Sequence, residues 1–405
     1  MLKELHLRHW KSFRDATLHI DPLTVLIGTN ASGKSNIVDA LLFMQRVVSG
    51  IDPTQALNGT ENLPPVRGGL KWAVTRGHHD FFLSGVFDAD ETQKNSSLDF
   101  VYSIDARIQA NKCDLKSLYN VRQYLDSHMN NNFQECSLAE YILDKKSRHV
   151  ARKIRQDTNS RTPLKGYHQL LIDVFKNIFI LNPTPPRMRE YSTITDIMQP
   201  DASNTASVMA SMDLDSLNKF NELIKKYLKY LPDGDIHRIW AEQEGPDLNC
   251  FIIKCEEKWH DGNGTTQTMD ARSMSDGTLR LLAILTALFT RPPGSLLVIE
   301  DVDQGLHPSR AGILVQMLKE EGKNRGVDLL VTTHNPALLD AMGPDMLPYI
   351  TVVHRDPDTG ESRLTLLEEA PQLAKLLAYG PVGRLATSGR IEEALRTRGT
   401  KAHGE

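Results

Sequence analysis

Short apolar runs separated by polar segments predict a sheet with both buried and half-buried strands. Leu23 to Ile27 and Leu296 to Ile299 are wholly apolar, which is typical of parallel strands covered on both faces. Leu2 to Leu7 alternates apolar and polar positions, and Phe81 to Phe87 with Leu98 to Ile104 read as a hairpin. The pattern predicts an α/β fold with a mixed, mainly parallel sheet and an antiparallel N-terminal lobe.

The middle of the chain changes to polar segments with helical periodicity. From Leu214 to Leu231 the apolar residues fall at i, i+3 and i+4 spacings, and Leu138 to Arg155 and Tyr167 to Phe179 follow the same rule. We therefore predict a mainly helical insertion over 105–231, within a head formed by 1–104 and 232–405. Its helices are too short for long coiled-coil arms.

Charge and composition narrow the class of protein. The 405 residues carry a net charge of −4, and the pI near 6.4 argues against a surface devoted to nucleic acid. A basic run from Lys145 to Arg155 leaves DNA open as a partner, although a solvated helix face is the commoner meaning of such a run. No apolar run is long enough for a membrane span and no signal peptide is evident, so we expect a cytoplasmic protein without a membrane partner. The four cysteines are expected to be free thiols.

The segment from Gly28 to Asn36 matches the phosphate-binding loop pattern G-x-x-x-x-G-K-[ST] at every fixed position. It lies between the predicted strand ending at Ile27 and an apolar helix. Glycines allow the backbone N–H groups to point at phosphate oxygens, Lys34 reaches the β- and γ-phosphates, and Ser35 can ligate Mg²⁺. The predicted nucleotide contacts in this loop are Gly28, Asn30, Ala31, Ser32, Gly33, Lys34, Ser35 and Asn36.

Two acids and a histidine follow later buried strands. Glu300 and Asp301 come directly after Leu296 to Ile299, and His334 follows the apolar run from Val327 to Thr333. Ligands of open α/β sheets bind at the carboxyl ends of strands. We therefore assign Glu300, with Ser35, to Mg²⁺, Asp301 to the attacking water, and His334 to the γ-phosphate or that water.

A second anion-binding helix start lies at Ser275, Asp276 and Gly277, before the apolar helix from Leu281 to Phe289. Ser and Asp are helix N-cap residues, and glycine lets a ligand approach the backbone. A single nucleotide does not need two such sites from one subunit.

Taken together, these motifs resemble the ATP-binding-cassette-type ATPases of the RecF, SMC and OLD group. Met274 to Thr278 resembles their signature motif, Leu296 to Asp301 their Walker B strand, Val302 to Pro308 their D-loop, and His334 their switch histidine. Within the group, the N-terminal segment and the segment from Ile299 to Pro308 look most like compact prokaryotic antiphage-defence ATPases of the Septu, OLD-like and PARIS types.

The resemblance implies a homodimer or higher homo-oligomer in which two ATP molecules are sandwiched head to tail with Mg²⁺. The signature of one subunit would cap the γ-phosphate held by the other. Walker B here ends Glu-Asp where the wider family has Asp-Glu, and His307 stands where the D-loop has an aspartate. The shorter Asp301 implies slow turnover.

Three functions follow from this reading. The first is an ATPase that gates an effector, a nuclease or toxin encoded alongside it, in antiphage defence. The second is a RecF-like DNA-repair ATPase that binds duplex DNA. The third is a nucleotide-locked scaffold that hydrolyses ATP negligibly.

Overall fold

The computed structural model describes residues 1–88, 98–124, 133–142, 151–153, 172–228, 236–244, 249–258 and 266–396. Its strands are β1 (Leu2–Trp10), β2 (Phe13–His19), β3 (Leu23–Ile27), β4 (Asp80–Asp88), β5 (Leu98–Gln109), β6 (Lys112–Tyr124), β7 (Phe133–Ile142), β8 (Ala151–Lys153), β9 (Ile178–Leu181), β10 (Ser192–Thr193), β11 (Ile236–Gln243), β12 (Cys250–Lys258), β13 (Thr266–Asp270), β14 (Leu296–Ile299), β15 (Asp328–Thr332), β16 (Ile350–Arg355) and β17 (Ser362–Leu366).

The helices alternate with these strands along the chain. They are α1 (Lys34–Val48), α2 (Pro53–Asn58), α3 (172–176), α4 (Pro185–Met188), α5 (Thr205–Ala210), α6 (Leu214–Leu228), α7 (Asp276–Thr290), α8 (Ala311–Arg325), α9 (Pro336–Met342), α10 (Leu373–Leu377), α11 (Val382–Thr387) and α12 (Arg390–Arg396). Short 3₁₀ turns occupy Leu70–Trp72, Pro308–Arg310, Pro344–Tyr349 and Leu367–Glu369. Within the described residues, no helix has the length and apolarity that a membrane crossing requires.

The chain divides into two compact units. The first, unit 1, comprises 1–178, 349–371 and 392–405, and the second, unit 2, comprises 179–348 and 372–391. The predicted division into a head and an insertion at 105–231 stays a prediction.

Unit 1 is built on a sheet with the strand order β8-β7-β6-β5-β4-β1-β2-β17-β16-β3. The N-terminal lobe is antiparallel, as predicted: β1 pairs with β2 and β4, and β4 pairs with β5. β17 pairs in parallel with β2, and β16 pairs in parallel with β3, while β16 and β17 form an antiparallel pair. The strand β3 thus lies at the parallel end of this sheet and leads directly into the phosphate loop.

An aromatic cluster fastens α1 to the antiparallel lobe of unit 1. Trp10, Phe43 and Phe81 are each 0% exposed. Their ring centroids lie 4.9 to 5.7 Å apart. The buried Trp10 indole donates a hydrogen bond to the Asn36 carbonyl oxygen at 2.7 Å, which satisfies its only polar group. This contact fixes the first turn of α1, where the predicted site begins.

Unit 2 holds the other predicted motifs. β14 and β15 pair in parallel with β9 next in order, and β14 is buried at every position. A second, antiparallel sheet places β11 on one edge of β12, with β10 and β13 on the other. The helix α7 is buried along most of its length, because the majority of its residues are apolar.

The prediction of a mainly helical insertion is wrong for the described residues 112–124, 133–142 and 151–153. The described residues there form β6, β7 and β8, which extend the antiparallel sheet of unit 1. Pairing with neighbouring strands can outweigh a local helical pattern, so helical spacing alone did not decide the structure. The helix predicted at Leu214 is confirmed as α6, which is described to Leu228.

Two further expectations concern residues at the border of the described regions. Most of the basic run from Lys145 to Arg155 lies outside them, and its residues 151–153 form β8 instead of a helix. Within the described part of the chain, Cys113, Cys250 and Cys255 form no disulfide bond. The side chain of Cys136 lies outside the described residues.

Candidate nucleotide-binding site

The phosphate loop of unit 1 has the backbone conformation that its glycines permit. Gly28 and Gly33 have φ values of +146° and +120°, a region that L side chains rarely adopt. A Cβ atom on Gly28 would overlap the Val353 carbonyl oxygen, and one on Gly33 would lie 2.6 Å from Ser362 Oγ. Both positions therefore require glycine for space as well as for conformation.

Polar groups of the loop are placed to receive an anion. Ser32 is 1% exposed, and its hydroxyl has no hydrogen-bond partner among the described residues. The ammonium group of Lys34 donates to the carbonyl oxygens of Gly28 at 2.6 Å and Thr29 at 3.1 Å. Gly33, which precedes α1, offers no side-chain cap to the N–H groups of that helix. These donors at a helix N-terminus fit phosphate oxygens.

Hydrogen bonds from other parts of unit 1 hold the loop in place. Asn36 donates through Nδ2 to Ser12 Oγ at 2.7 Å. Ser362 Oγ donates to the Ser32 carbonyl oxygen at 2.5 Å, and Arg355 Nε donates to the Ala31 carbonyl oxygen at 3.0 Å. Sequence reasoning did not identify Arg355 and Ser362, because both lie more than 300 residues along the chain from the loop that they contact. The predicted loop residues Asn30 and Ala31 are exposed.

A buried carboxylate behind the loop holds two cations, and sequence reasoning also missed this network. Asp39 in α1 is 2% exposed and accepts from Lys11 Nζ at 2.5 Å and from Arg67 Nε at 2.9 Å. Arg67 also donates to the Ser35 carbonyl oxygen at 3.2 Å. Burial lowers the pKa of Lys11, and the nearby Asp39 opposes that shift. An acid on the otherwise apolar face of α1 was the available signal.

Beside the loop, unit 1 contains an open cavity of about 1310 Å³. Its wall includes Asn36 of the loop together with the cations Lys11, Arg67, Arg76 and Arg355. The side chain of Trp72, 64% exposed, also lines it. This concentration of positive charge fits a polyanionic ligand.

The signature residues lie in unit 2 at the start of α7. Ser275 is the N-cap, and its hydroxyl oxygen accepts from the Thr278 N–H at 3.2 Å. Gly277 packs against the D-loop so closely that a Cβ atom there would lie 2.6 Å from the Gly305 carbonyl oxygen. The predicted helix start is confirmed, and glycine is required for its contact with the D-loop.

Arg189 anchors this signature and was not anticipated. Its Nη2 donates to the Met274 carbonyl oxygen at 2.8 Å and to Asp276 Oδ1 at 2.6 Å. Arg280 is a second unforeseen cation: burial lowers its pKa, while Asp276 and Asp301 act in the opposite direction. Neither arginine belongs to a motif, so their positions became evident only in the folded chain.

The residues assigned to hydrolysis also meet in unit 2. Asp301 has a φ of +44°, and its N–H donates to Thr332 Oγ1 at 2.9 Å. Its carboxylate Oδ1 lies 3.5 Å from His334 Nδ1, with both side chains about half exposed. The ends of β14 and β15 thus bring Asp301 and His334 together, while Glu300 is half-buried beside them.

His307, at the D-loop position usually held by aspartate, has a local structural role. It is the N-cap of the 3₁₀ turn Pro308–Arg310, where its Nδ1 accepts from the Ser309 N–H at 3.3 Å. An imidazole nitrogen can cap a helix as a carboxylate oxygen does.

Ser35 belongs to unit 1 and Glu300 to unit 2. Their joint role as ligands of Mg²⁺ therefore stays a prediction.

Comparisons with known proteins agree with this fold. The head domain in the crystal structure of the Smc head bound to the C-winged helix domain of ScpA has a TM-score of 0.50 at 15% identity, covering 90% of this chain and 97% of that chain. The SMC head domain from Thermotoga maritima has a TM-score of 0.46 at 16% identity, covering 90% and 98%. The first likeness confirms the predicted ABC-type P-loop ATPase head fold.

Similarity to curated proteins is local. The DNA replication and repair protein RecF of Limosilactobacillus reuteri (strain DSM 20016) is 48% identical over 42 residues, which is 10% of this chain and 11% of RecF. RecF of Synechococcus sp. (strain JA-2-3B'a(2-13)) is 46% identical over 41 residues, 10% of this chain and 11% of that protein. The chain thus aligns with about a tenth of the length of these relatives.

A family model matches most of the chain, over residues 23–340. The match includes the phosphate loop, the signature, both acids after β14, and His334. By this match the chain belongs to the family described as "AAA domain, putative AbiEii toxin, Type IV TA system".

Proposed function

We propose that this protein binds and hydrolyses ATP, and that two copies close head to tail around two ATP molecules to gate a partner effector in prokaryotic antiphage defence. The main support for nucleotide binding is the phosphate loop, whose buried Ser32 hydroxyl has no hydrogen-bond partner in the described residues. A buried hydroxyl without a hydrogen bond is costly, and a phosphate oxygen would satisfy it.

The loop residues would hold the phosphates of ATP. Lys34 would exchange the carbonyl oxygens of Gly28 and Thr29 for the β- and γ-phosphates, because those oxygens carry more negative charge. Backbone N–H groups at the start of α1 would add to this attraction. Ser35 and Glu300 are the residues proposed to hold Mg²⁺, which would neutralise phosphate charge during transfer.

Asp301 and His334 are proposed to act on the attacking water. The hydrogen bond from the Asp301 N–H to Thr332 fixes the backbone of the acid, so that its carboxylate can orient the water. His334 Nδ1 faces this carboxylate, which leaves Nε2 directed elsewhere, towards the water or the γ-phosphate. Since aspartate has a shorter reach than glutamate, we expect slow turnover.

Dimerisation is supported by the second anion site. The start of α7 presents Ser275 and Gly277 at a helix N-terminus of unit 2, and a nucleotide bound to the phosphate loop of a second copy would supply its anion. ATP would then favour the closed pair and hydrolysis would release it, which gives a partner two states to recognise. The family description names a putative AbiEii toxin and a Type IV TA system, which supports a part for this chain in a toxin system.

The experiment is to purify tagged Asp301→Asn protein from its own host with ATP and Mg²⁺, and to identify stoichiometric partners. The variant keeps the shape of the acid but removes its charge, so closed dimers should accumulate. A nuclease or toxin that co-purifies with this variant, and is lost with Lys34→Ala, is the expected result.

Other outcomes would favour the alternative functions. Salt-sensitive recovery of duplex DNA alone would favour a RecF-like role. Partner control that is unchanged by Asp301→Asn, with hydrolysis negligible in the wild type, would favour a nucleotide-locked scaffold. Either outcome would contradict hydrolysis-driven gating of an effector.

A further inference from the structure

A histidine-rich cluster lies in unit 1, apart from every residue assigned to ATP. In the described part of the chain, a single group of three His, Cys, Asp or Glu side chains brings its ligand atoms within 4.8 Å of one another, namely His9, His78 and Asp80. All three side chains are half-buried. They come from the end of β1, from the turn before β4, and from the first residue of β4.

The backbone around the cluster is tightly organised. The N–H of Thr75 donates to the His9 carbonyl oxygen at 2.8 Å, and the Thr75 carbonyl oxygen accepts from the His78 N–H at 3.0 Å. Thr75 is itself 8% exposed and donates through its hydroxyl to the Phe13 carbonyl oxygen at 3.0 Å. One buried residue thus positions both histidines.

The spacing of the side chains suits a metal ion better than direct contact. His9 Nδ1 lies 3.4 Å from Asp80 Oδ2, which is longer than a good hydrogen bond. Bonds of about 2.0–2.2 Å to a tetrahedral metal place two ligand atoms roughly 3.3–3.5 Å apart. The imidazole rings of His9 and His78 are stacked with centroids 3.7 Å apart, so the His78 ring would have to turn out of this stack for its nitrogen to reach the same ion.

We propose that His9, His78 and Asp80 bind a divalent first-row transition metal of the zinc class. Two imidazole nitrogens and one carboxylate oxygen are ligands that Zn²⁺ accepts, whereas Mg²⁺ prefers oxygen ligands alone. The site is therefore separate from the Mg²⁺ proposed beside ATP, and it does not rest on the ATPase function.

Three protein ligands leave one position of a tetrahedral ion open to water or another oxygen donor. His78 also lines the cationic cavity, so the proposed site lies at the edge of that cavity. The bound ion would join the end of β1 to the start of β4. Lys11, whose ammonium group reaches Asp39 behind the phosphate loop, lies two residues beyond His9. The metal would thereby stiffen the cavity wall.

The test uses the full chain after removal of metals with a chelator. Zn²⁺ is titrated by calorimetry, and Co²⁺ is titrated by absorption, since its visible bands report tetrahedral coordination. We expect one site in the wild type, and an affinity at least about 10-fold weaker in His78→Ala and in Asp80→Asn. Zn²⁺ should also raise the Tm of the wild type, because it binds the native state.

His79→Ala is the matched control, because this neighbouring imidazole is outside the cluster. It should bind Zn²⁺ with the affinity of the wild type. The proposal is overturned if the wild type binds no metal after chelation, or if His78→Ala and Asp80→Asn bind as tightly as the wild type. Sulfur-to-Co²⁺ charge-transfer bands would likewise overturn it, since they would place the ion on cysteine.

Discussion

Ser32 and Lys34 show how single residues of the phosphate loop are held ready for a ligand. The Ser32 hydroxyl is buried without a partner in the described residues, and Lys34 uses carbonyl oxygens of its own loop. Buried polar groups normally find hydrogen bonds, so this arrangement lowers stability unless an anion binds. Removing the Ser32 hydroxyl should therefore weaken ATP binding without lowering the free energy of unfolding.

Replacing Ser32 tests this opposition. Ser32→Ala should leave the free energy of unfolding unchanged or raise it by about 1 kcal/mol, because it removes an unsatisfied group. The same change should weaken ATP binding. Lys34→Ala should abolish binding by removing the main positive charge on the β- and γ-phosphates. Thermal unfolding and calorimetric titration with ATP measure both quantities, and unchanged ATP affinity in Lys34→Ala would exclude the phosphate-loop assignment.

At the scale of elements, close packing and polar pairs connect the helices of unit 2. Gly277 at the start of α7 touches the D-loop at Gly305. Between α6 and α8, Tyr227 donates to Glu321 Oε1 at 3.0 Å, and Lys226 donates to Glu320 at 2.7 Å. A substitution that adds or removes a single heavy atom can therefore test the contacts of Gly277 and Tyr227.

Gly277→Ala should push the signature away from the D-loop. The added methyl group would lie 2.6 Å from the Gly305 carbonyl oxygen, and overpacking of this kind costs about 1–3 kcal/mol. The matched control is Gly312→Ala in α8, where no atom lies within 4 Å of the added Cβ. That change should stabilise the helix by up to about 1 kcal/mol. Equal thermal stability of the two variants would show that Gly277 and Gly305 are not closely packed.

The hydrogen bond between Tyr227 in α6 and Glu321 in α8 makes the free energy of unfolding vary with pH in the alkaline range. Burial raises the pKa of Tyr227 to about 12 from 10.0. Because this value is higher in the folded state, the contribution of Tyr227 is fully present below pH 10 and is lost as the pH rises towards 12. Tyr227→Phe should reduce the free energy of unfolding by about 1–3 kcal/mol at neutral pH.

Urea denaturation of the wild type and Tyr227→Phe, followed from pH 9 to about 11.5, measures this effect. The two stabilities should converge as the pH rises. Tyr379→Phe is the control, since the Tyr379 side chain is 53% exposed. A constant difference between wild type and Tyr227→Phe across this range would contradict the assignment.

At the scale of the whole molecule, the nucleotide elements divide between two units. The phosphate loop belongs to unit 1, whereas the signature, Asp301 and His334 belong to unit 2. In the proposed dimer, the phosphate loop of one copy and the signature of the other copy would contact each ATP. Nucleotide binding and self-association should therefore depend on one another.

Sedimentation velocity can test this coupling. With ATP and Mg²⁺, Asp301→Asn should sediment as a stable dimer, and the wild type should dimerise transiently because it hydrolyses its ATP. Lys34→Ala should remain monomeric under the same conditions. If all three proteins formed equally stable dimers with and without ATP, self-association would not depend on the nucleotide.

The sequence by itself determined the elements whose signals are local. The phosphate loop, the wholly apolar strand before Glu300, the α6 helix and the α7 helix start all depend on residues that are neighbours along the chain. Their periodicity and fixed spacing were therefore enough to predict them. Helical spacing was not enough at 133–142 and 151–153, where β7 and β8 extend a sheet, because pairing with a neighbouring strand outweighed the local pattern.

Only the tertiary structure decided which distant residues support the site. Asp39 holds Lys11 and Arg67, Arg189 holds the signature, and Ser362 holds the phosphate loop. The same is true of His9, His78 and Asp80, which a strand end and a turn bring together. Such contacts join residues far apart in the chain, so no local pattern encodes them. Burial strengthens the contacts of Asp39 and Ser362, because charges and hydrogen bonds away from water interact more strongly than exposed ones.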